Sequence, residues 1–149
     1  MKAEQAGRQV KAVFTTREIE VATYDIDFAG VVSNTVYVKW MEDMRLAMTR
    51  APHYLPLVSL MNDEVGIAPA ITHTDIHYRR PIRLGDQVVA SVWMSQLTSR
   101  KIYGQFEFHV NGKLAAYGSQ TGCFINIATK KFASTPQSWL DIFEQTIQT

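Results

Sequence analysis

From Asn34 to Thr49 the chain reads NTVYVKWMEDMRLAMT, and this stretch decides the fold. Tyr37, Trp40, Met41, Met44, Ala47 and Met48 fall on one stripe, while Lys39, Glu42, Asp43 and Arg45 lie largely off it. Apolar residues recurring at three and four positions predict an amphipathic helix with one buried face. Ser33, Asn34 and Thr35 offer a choice of N-cap. Pro52 and Pro56 end the helix and open an irregular segment. The Met content of the stripe suits core packing and would also suit an adaptable wall around an acyl group.

On either side of the helix the period drops to two. Arg17 to Tyr24 alternates, with Ile19, Val21 and Thr23 on one side and Glu18 and Glu20 on the other, which predicts a half-buried strand. Asp25 to Gly30 breaks that pattern and reads as a loop. Beyond the helix, Ile71 to Arg79 alternates Thr74, Ile76 and Tyr78 against His73, Asp75, His77 and Arg79, and is followed by Pro81 and the turn Leu84-Gly85-Asp86. Val88, Ala90, Val92 and Met94 mark one face of the next strand, and Ile102, Gly104, Phe106, Phe108 and Val110 one face of a third. Asn111-Gly112 is a two-residue hairpin turn, leading into a long strand from about Leu114 to Ile127. A short helix of about 136–147 opens at Thr135-Pro136.

The order is strand, long helix, four strands in a run, small helix. Short turns between consecutive strands imply an antiparallel sheet with the helix covering one face, an α+β domain whose other face and edges favour self-association. The 149 residues fit a single domain over 1–149, with a polar N-terminal arm of about 1–16 and no repeat or linker. With 46% hydrophobic and 19% charged residues the chain is neither disordered nor fibrous. Its 15 basic and 14 acidic residues, net +1, argue against a general nucleic-acid binder. No run approaches the ~20 apolar residues needed to span a bilayer, and Met1 to Val10 lack the apolar core of a signal peptide, so a soluble, cytoplasmic protein without a membrane partner is expected. The single cysteine, Cys123, excludes an intramolecular disulfide and reads as a small residue on a buried strand. His73 and His77, four apart on a strand, are separated by roughly 13 Å and read as surface or interface residues, not as a metal pair.

Chemistry concentrates in Tyr24-Asp-Ile-Asp-Phe-Ala-Gly-Val-Val-Ser-Asn34. Two carboxylates, Asp25 and Asp27, precede a helix N-terminus. The arrangement suits a simple turn favoured by the positive helix end. It also suits catalysis, because free backbone N–H groups there can hold a developing oxyanion while a carboxylate attacks a carbonyl or activates water.

This segment resembles the hot-dog-fold acyl-CoA thioesterases of the 4-hydroxybenzoyl-CoA thioesterase type. Asp25, Asp27, Gly30, Val32, Asn34, Tyr37, Trp40, Glu42 and Arg45 stand in the family's order, and Tyr78, Pro81, Gly85 and Asp86 supply a second block. The similarity runs from about Arg17 to Ile127. It implies a hot-dog fold, an antiparallel sheet wrapped around one long central helix, paired into a homodimer or homotetramer. It also implies hydrolysis of a fatty-acyl or aryl-CoA thioester, with no metal and no cofactor beyond the coenzyme A of the substrate.

Carried over by residue, the resemblance makes Asp27 the nucleophile or general base, with Glu42 or Asp43 as rivals on the helix. Gly30 lets the backbone turn tightly, and the backbone N–H at about Asn34 polarises the thioester carbonyl. Tyr37 is a substrate-binding candidate, although its place on the apolar stripe fits packing better. Glu42 and Arg45, three apart, could pair on the helix surface. Ser99, Arg100 and Lys101 form a basic turn of the kind that contacts CoA phosphates in the family, with Arg79, Arg80 and Arg83 as competing cations. Where several relatives carry Tyr-His, this chain has Ser33-Asn34, which removes one acid–base helper. Acyl-carrier-protein thioesters are the alternative substrate, and a non-catalytic acyl-CoA-binding module the alternative role.

Overall fold

The computed structural model describes residues 10–147 and builds them around one antiparallel sheet. Strand β1 (Ala12–Glu20) leads through a 3-10 turn at Thr23–Asp25 into helix α1 (Asn34–Ala47). A four-residue helix α2 (Val58–Met61) follows, then β2 (Ile67–Tyr78), β3 (Gln87–Leu97), β4 (Ile102–Val110), β5 (Lys113–Asn126), β6 (Phe132–Ala133) and helix α3 (Gln137–Thr146). The sheet order is β1-β3-β4-β5-β2, with β6 pairing with β5.

All six stripe residues of α1 are buried. All but Ala47 join Val88, Ala90, Val92 and Met94 of β3 and Phe106 and Phe108 of β4 in one apolar core. Each large side chain removed from water there is worth ~1.5–3 kcal/mol. Gly118 on β5 lets the helix come close: a Cβ there would stand 2.9 Å from Met41 Cε and nearer still to the Asp75 carbonyl oxygen. Asn111 and Gly112 both have positive φ, 51° and 75°, as the two-residue hairpin turn requires.

Two sequence expectations are corrected at β1. The strand begins at Ala12, inside the stretch read as a polar arm over 1–16, and ends at Glu20 instead of running to Tyr24. Val13 sits at φ 53° and the pairing with β3 shifts between Ala12 and Thr15, so adjacent Ala12 and Val13 are both buried. This irregularity erases the period-two signal. The arm's first nine residues lie outside the described residues.

Strand directions place the site. β2 ends at Tyr78, whose hydroxyl donates to the Asn34 carbonyl at 3.1 Å, and the Val32 N–H donates to the Ile82 carbonyl at 2.8 Å. Helix α1 therefore starts at the end of the sheet where β2 leaves it. After α1, His53 Nε2 lies 2.8 Å from the Phe14 carbonyl oxygen, near the start of β1, so the helix runs to the opposite end. The two outer strands differ. Along β1, α3 packs against the strand and the Val13 N–H donates to Thr146 Oγ1 at 2.8 Å. Along the free side of β2, no strand pairs among the described residues.

Candidate active site

The loop before α1 is a closed structure. Ile26 bridges Val32, the Asp27 N–H donates to the Val31 carbonyl at 2.9 Å, and the Ser33 N–H donates to the Asp25 carbonyl at 2.9 Å. These bonds fold Asp25–Gly30 back against the residues that open the helix. Gly30 adopts φ 80°, and nothing lies within 4 Å of where its Cβ would stand. Backbone conformation, not crowding, calls for glycine there.

The two aspartates have different surroundings. Asp25 is buried, and its Oδ2 accepts the Ala22 N–H at 2.8 Å, so this carboxylate braces the loop. Asp27 is half-buried; its Oδ1 accepts the Ala29 N–H at 2.8 Å and its carbonyl accepts the Gly30 N–H at 3.0 Å. Only one bond engages the Asp27 carboxylate among the described residues. Asn34 is exposed, and no acceptor is found among the described residues for its backbone N–H or that of Thr35. A half-exposed carboxylate thus stands on a loop fastened beside two free helix-start donors, which can attack or deprotonate at one atom and hold negative charge at another.

Tyr37 takes the packing role. It is 2% exposed and meets Trp40, Tyr78 and Phe108 edge-on at 5.0–5.7 Å between ring centres, the packing its place on the apolar stripe suggested. Burial, and secondarily the Tyr78 phenol, pushes its hydroxyl up to about 12.

Ser99, Arg100 and Lys101 fall elsewhere. They form the β3–β4 turn, at the end of the sheet opposite the helix start. The nine residues of β4 alone put roughly 25 Å between the two ends. Thr98 Oγ1 accepts the Arg100 and Lys101 N–H groups, and the Arg100 guanidinium stacks 4.9 Å over Phe132. One chain does not bring this turn to Asp27.

A cavity of about 230 Å³ opens between the C-terminal half of α1 and the sheet, lined mainly by apolar side chains. Leu46, Met61 and Ile71, each about 40% exposed, are among its walls. Its polar side chains are Glu42, Arg45, Thr49 and Gln120. Arg45 does not pair with Glu42 within 4.0 Å; its Nη1 donates to Gln120 Oε1 at 2.7 Å, and Gln120 Nε2 donates to Thr74 Oγ1 at 3.2 Å. Burial lowers the Arg45 pKa, and Glu42 opposes that shift. Sequence reasoning missed Gln120, although its place between Gly118 and Gly122 on the inward face of β5 was a usable signal. His73 and His77 both lean on Asp75, at 3.6 and 3.7 Å, on the outer face of β2. Among the described residues no three His, Cys, Asp or Glu side chains gather as a metal site.

A helix cradled in an antiparallel sheet, with a carboxylate loop at its N-terminus, is the architecture of a hot-dog fold. The profile of the thioesterase-like superfamily matches residues 21–143, and the chain belongs to that family. It is 28% identical over 100 residues, 66% of this chain and 70% of the relative, to YneP of Bacillus subtilis, provisionally named an acyl-CoA thioesterase. It is 30% identical over 89 residues to the chloroplastic acyl-acyl carrier protein thioesterase ATL3 of Arabidopsis thaliana, covering 58% of this chain and 44% of that one. Among solved structures, a 1,4-dihydroxy-2-naphthoyl-CoA thioesterase from Synechocystis superposes with a TM-score of 0.78 at 20% identity, over 87% of this chain and 95% of the other. No helix among the described residues is long and apolar enough to cross a membrane.

Proposed function

We propose that this protein hydrolyses a fatty-acyl or aryl-CoA thioester to the free acid and CoA, with Asp27 as the reacting carboxylate. The observation that carries the reading is the closed Asp25–Gly30 loop, which holds a half-exposed carboxylate beside the unbonded N–H groups of Asn34 and Thr35.

Two routes use the same parts. As a nucleophile, an Asp27 oxygen attacks the thioester carbon, the C–S bond breaks, and the thiolate leaves and takes a proton. Water then cleaves the mixed anhydride. As a general base, Asp27 takes a proton from water, whose oxygen attacks the carbon; collapse of the tetrahedral intermediate expels the thiolate, which takes that proton. In both routes the carbonyl oxygen gains negative charge, and the Asn34 N–H is the donor assigned to it. A single donor of this kind is worth ~10²–10³ in rate. A thiolate departs without a Lewis acid, so the reading calls for no metal and no redox cofactor.

The acyl group is assigned to the apolar cavity beneath α1, and a second copy supplies the geometry. One copy's open β2 edge pairing antiparallel with another's would bring the helix start of each beside the far end of the other. There the cavity walls Leu46, Met61 and Ile71 are partly exposed. The same pairing draws the partner's Arg100–Lys101 end towards the site. A homodimer, or a homotetramer built from it, acting in the cytoplasm completes the reading. A carrier-protein thioester is the second reading, favoured by the similarity to ATL3 and by exposed cations at the helix-start end.

The test is thiol release from short, medium, long and aromatic acyl-CoAs, with sedimentation of the same sample. Turnover of one class by a species of two or four chains supports the reading. Tight acyl-CoA binding without turnover replaces it with a binding module, and turnover of carrier-protein esters alone moves it to the second reading.

A further inference from the structure

Four cations stand at the helix-start end of the sheet, and none has a carboxylate within 4.0 Å among the described residues. β2 runs out into Arg79 and Arg80, whose backbone N–H groups both donate to the Ala115 carbonyl, at 2.8 and 3.0 Å. Arg83 sits in the following turn: its N–H donates to Asp86 Oδ2 at 2.8 Å, and the Asp86 N–H returns to the Arg83 carbonyl at 3.1 Å. Lys113 begins β5 just past the Asn111-Gly112 turn. The cations are exposed, yet the three arginines are mounted on backbone fixed by these bonds and Lys113 on a strand paired with Val110.

Their side chains differ in use. The Arg79 guanidinium lies 5.2 Å over the Tyr117 ring. Arg80, Arg83 and Lys113 instead line a hollow of about 340 Å³ together with Pro81, Asp86 and Asn111. Asp86 is the one acid on its wall, and that carboxylate is engaged by a backbone N–H. In a chain with 14 acids for 15 bases, three cations around one hollow without an ion pair are a local concentration of charge that an anion would relieve. Two guanidinium forks and an ammonium suit phosphate.

The hollow adjoins the candidate site. Ile82, between Arg80 and Arg83, accepts the Val32 N–H, and Tyr78, two residues before Arg80, bonds the Asn34 carbonyl. The Ser99–Lys101 turn, by contrast, lies at the other end of the sheet.

We infer that Arg80, Arg83 and Lys113 form a phosphate cradle for the phosphopantetheine end of the thioester substrate, an assignment that rests on the thioesterase reading above. The inner phosphate is common to CoA and to a carrier protein's prosthetic arm; CoA adds a second phosphate in its diphosphate and a third at the 3′ position.

The experiment titrates free CoA, dephospho-CoA, 4′-phosphopantetheine and pantetheine into the wild type, into Arg80→Gln/Arg83→Gln/Lys113→Gln and into Arg100→Gln/Lys101→Gln. The same proteins are assayed with one acyl group carried on CoA, on a carrier protein and on N-acetylcysteamine. In the first variant CoA affinity falls roughly tenfold or more, and the ratio of kcat/KM for the CoA ester to that for the N-acetylcysteamine ester falls with it. Arg80→Lys/Arg83→Lys retains most of the affinity, and added salt weakens wild-type binding towards the variant's. A loss shared by 4′-phosphopantetheine supports the cradle, whereas a loss confined to CoA and its nucleotide phosphates moves these cations to the nucleotide end and overturns the assignment. Unchanged CoA affinity, an equal loss for pantetheine, or a loss carried wholly by Arg100→Gln/Lys101→Gln overturns it. CoA bound through the cluster by a wild type that cleaves no thioester would leave the cradle standing and remove the thioesterase reading.

Discussion

The Arg45 guanidinium donates from helix α1 to the side-chain oxygen of Gln120, 2.7 Å away across a largely apolar cavity. Gln120 is 4% exposed and passes the chain on to Thr74. Truncating one member leaves a buried amide oxygen without its donor, which costs ~1–3 kcal/mol. Arg45→Met is therefore expected to lower the unfolding free energy measured in urea by that much, and Arg45→Met/Gln120→Met to cost clearly less than the sum of the single variants. Additive losses would mean that the bond contributes little.

Gly118 is expected to tolerate no side chain. An added Cβ meets the Asp75 carbonyl oxygen and Met41 Cε at once, and one of these belongs to the neighbouring strand's backbone. Gly118→Ala should destabilise by ~1–3 kcal/mol in chemical unfolding, whereas Gly112→Ala, with open space around its Cβ, should act only through its positive φ. A neutral Gly118→Ala would show that the helix and sheet can part without penalty.

Tyr37 gives the fold an alkaline limit. Its folded pKa of about 12 lies above the unfolded value near 10, so the folded state holds the proton more tightly. The sign follows: this stability is complete below pH 10 and is lost as pH rises towards 12, by roughly 2 kcal/mol. Unfolding midpoints at pH 9 and pH 11.5 should differ more in the wild type than in Tyr37→Phe. Equal differences would assign the alkaline loss to other groups.

Helix α1 was legible because its packing stripe is periodic and uninterrupted: Tyr37, Trp40, Met41, Met44, Ala47 and Met48 all bury as the spacing requires. β3, β4 and β5 were legible for the same reason, whereas β2 begins at Ile67, four residues before the alternation that starts at Ile71, and no residue of it is fully buried. β1 was cut short because the bulge at Val13 buries two successive residues, and α2 and β6, with four and two residues, are too short to show a period. The Arg45–Gln120 bond joins residues 75 apart and needs the strand register to appear. The separation of Arg100–Lys101 from Asp27 was within reach of the sequence. Strands alternate direction, so the β3–β4 turn and the β2–β3 connection must lie at opposite ends of the sheet.

Asp27→Asn is the most direct measurement of the catalytic assignment. Asparagine keeps an Oδ1 to accept the Ala29 N–H, so the loop and the unfolding midpoint should stay as they are while the charge and basicity go. Assayed by thiol release on the best acyl-CoA beside Glu42→Gln, Asp27→Asn should lose ~10²–10⁴ in kcat, and Glu42→Gln far less. Retention of wild-type turnover by Asp27→Asn, with the loss falling on Glu42→Gln, would contradict the account and move the chemistry to the helix.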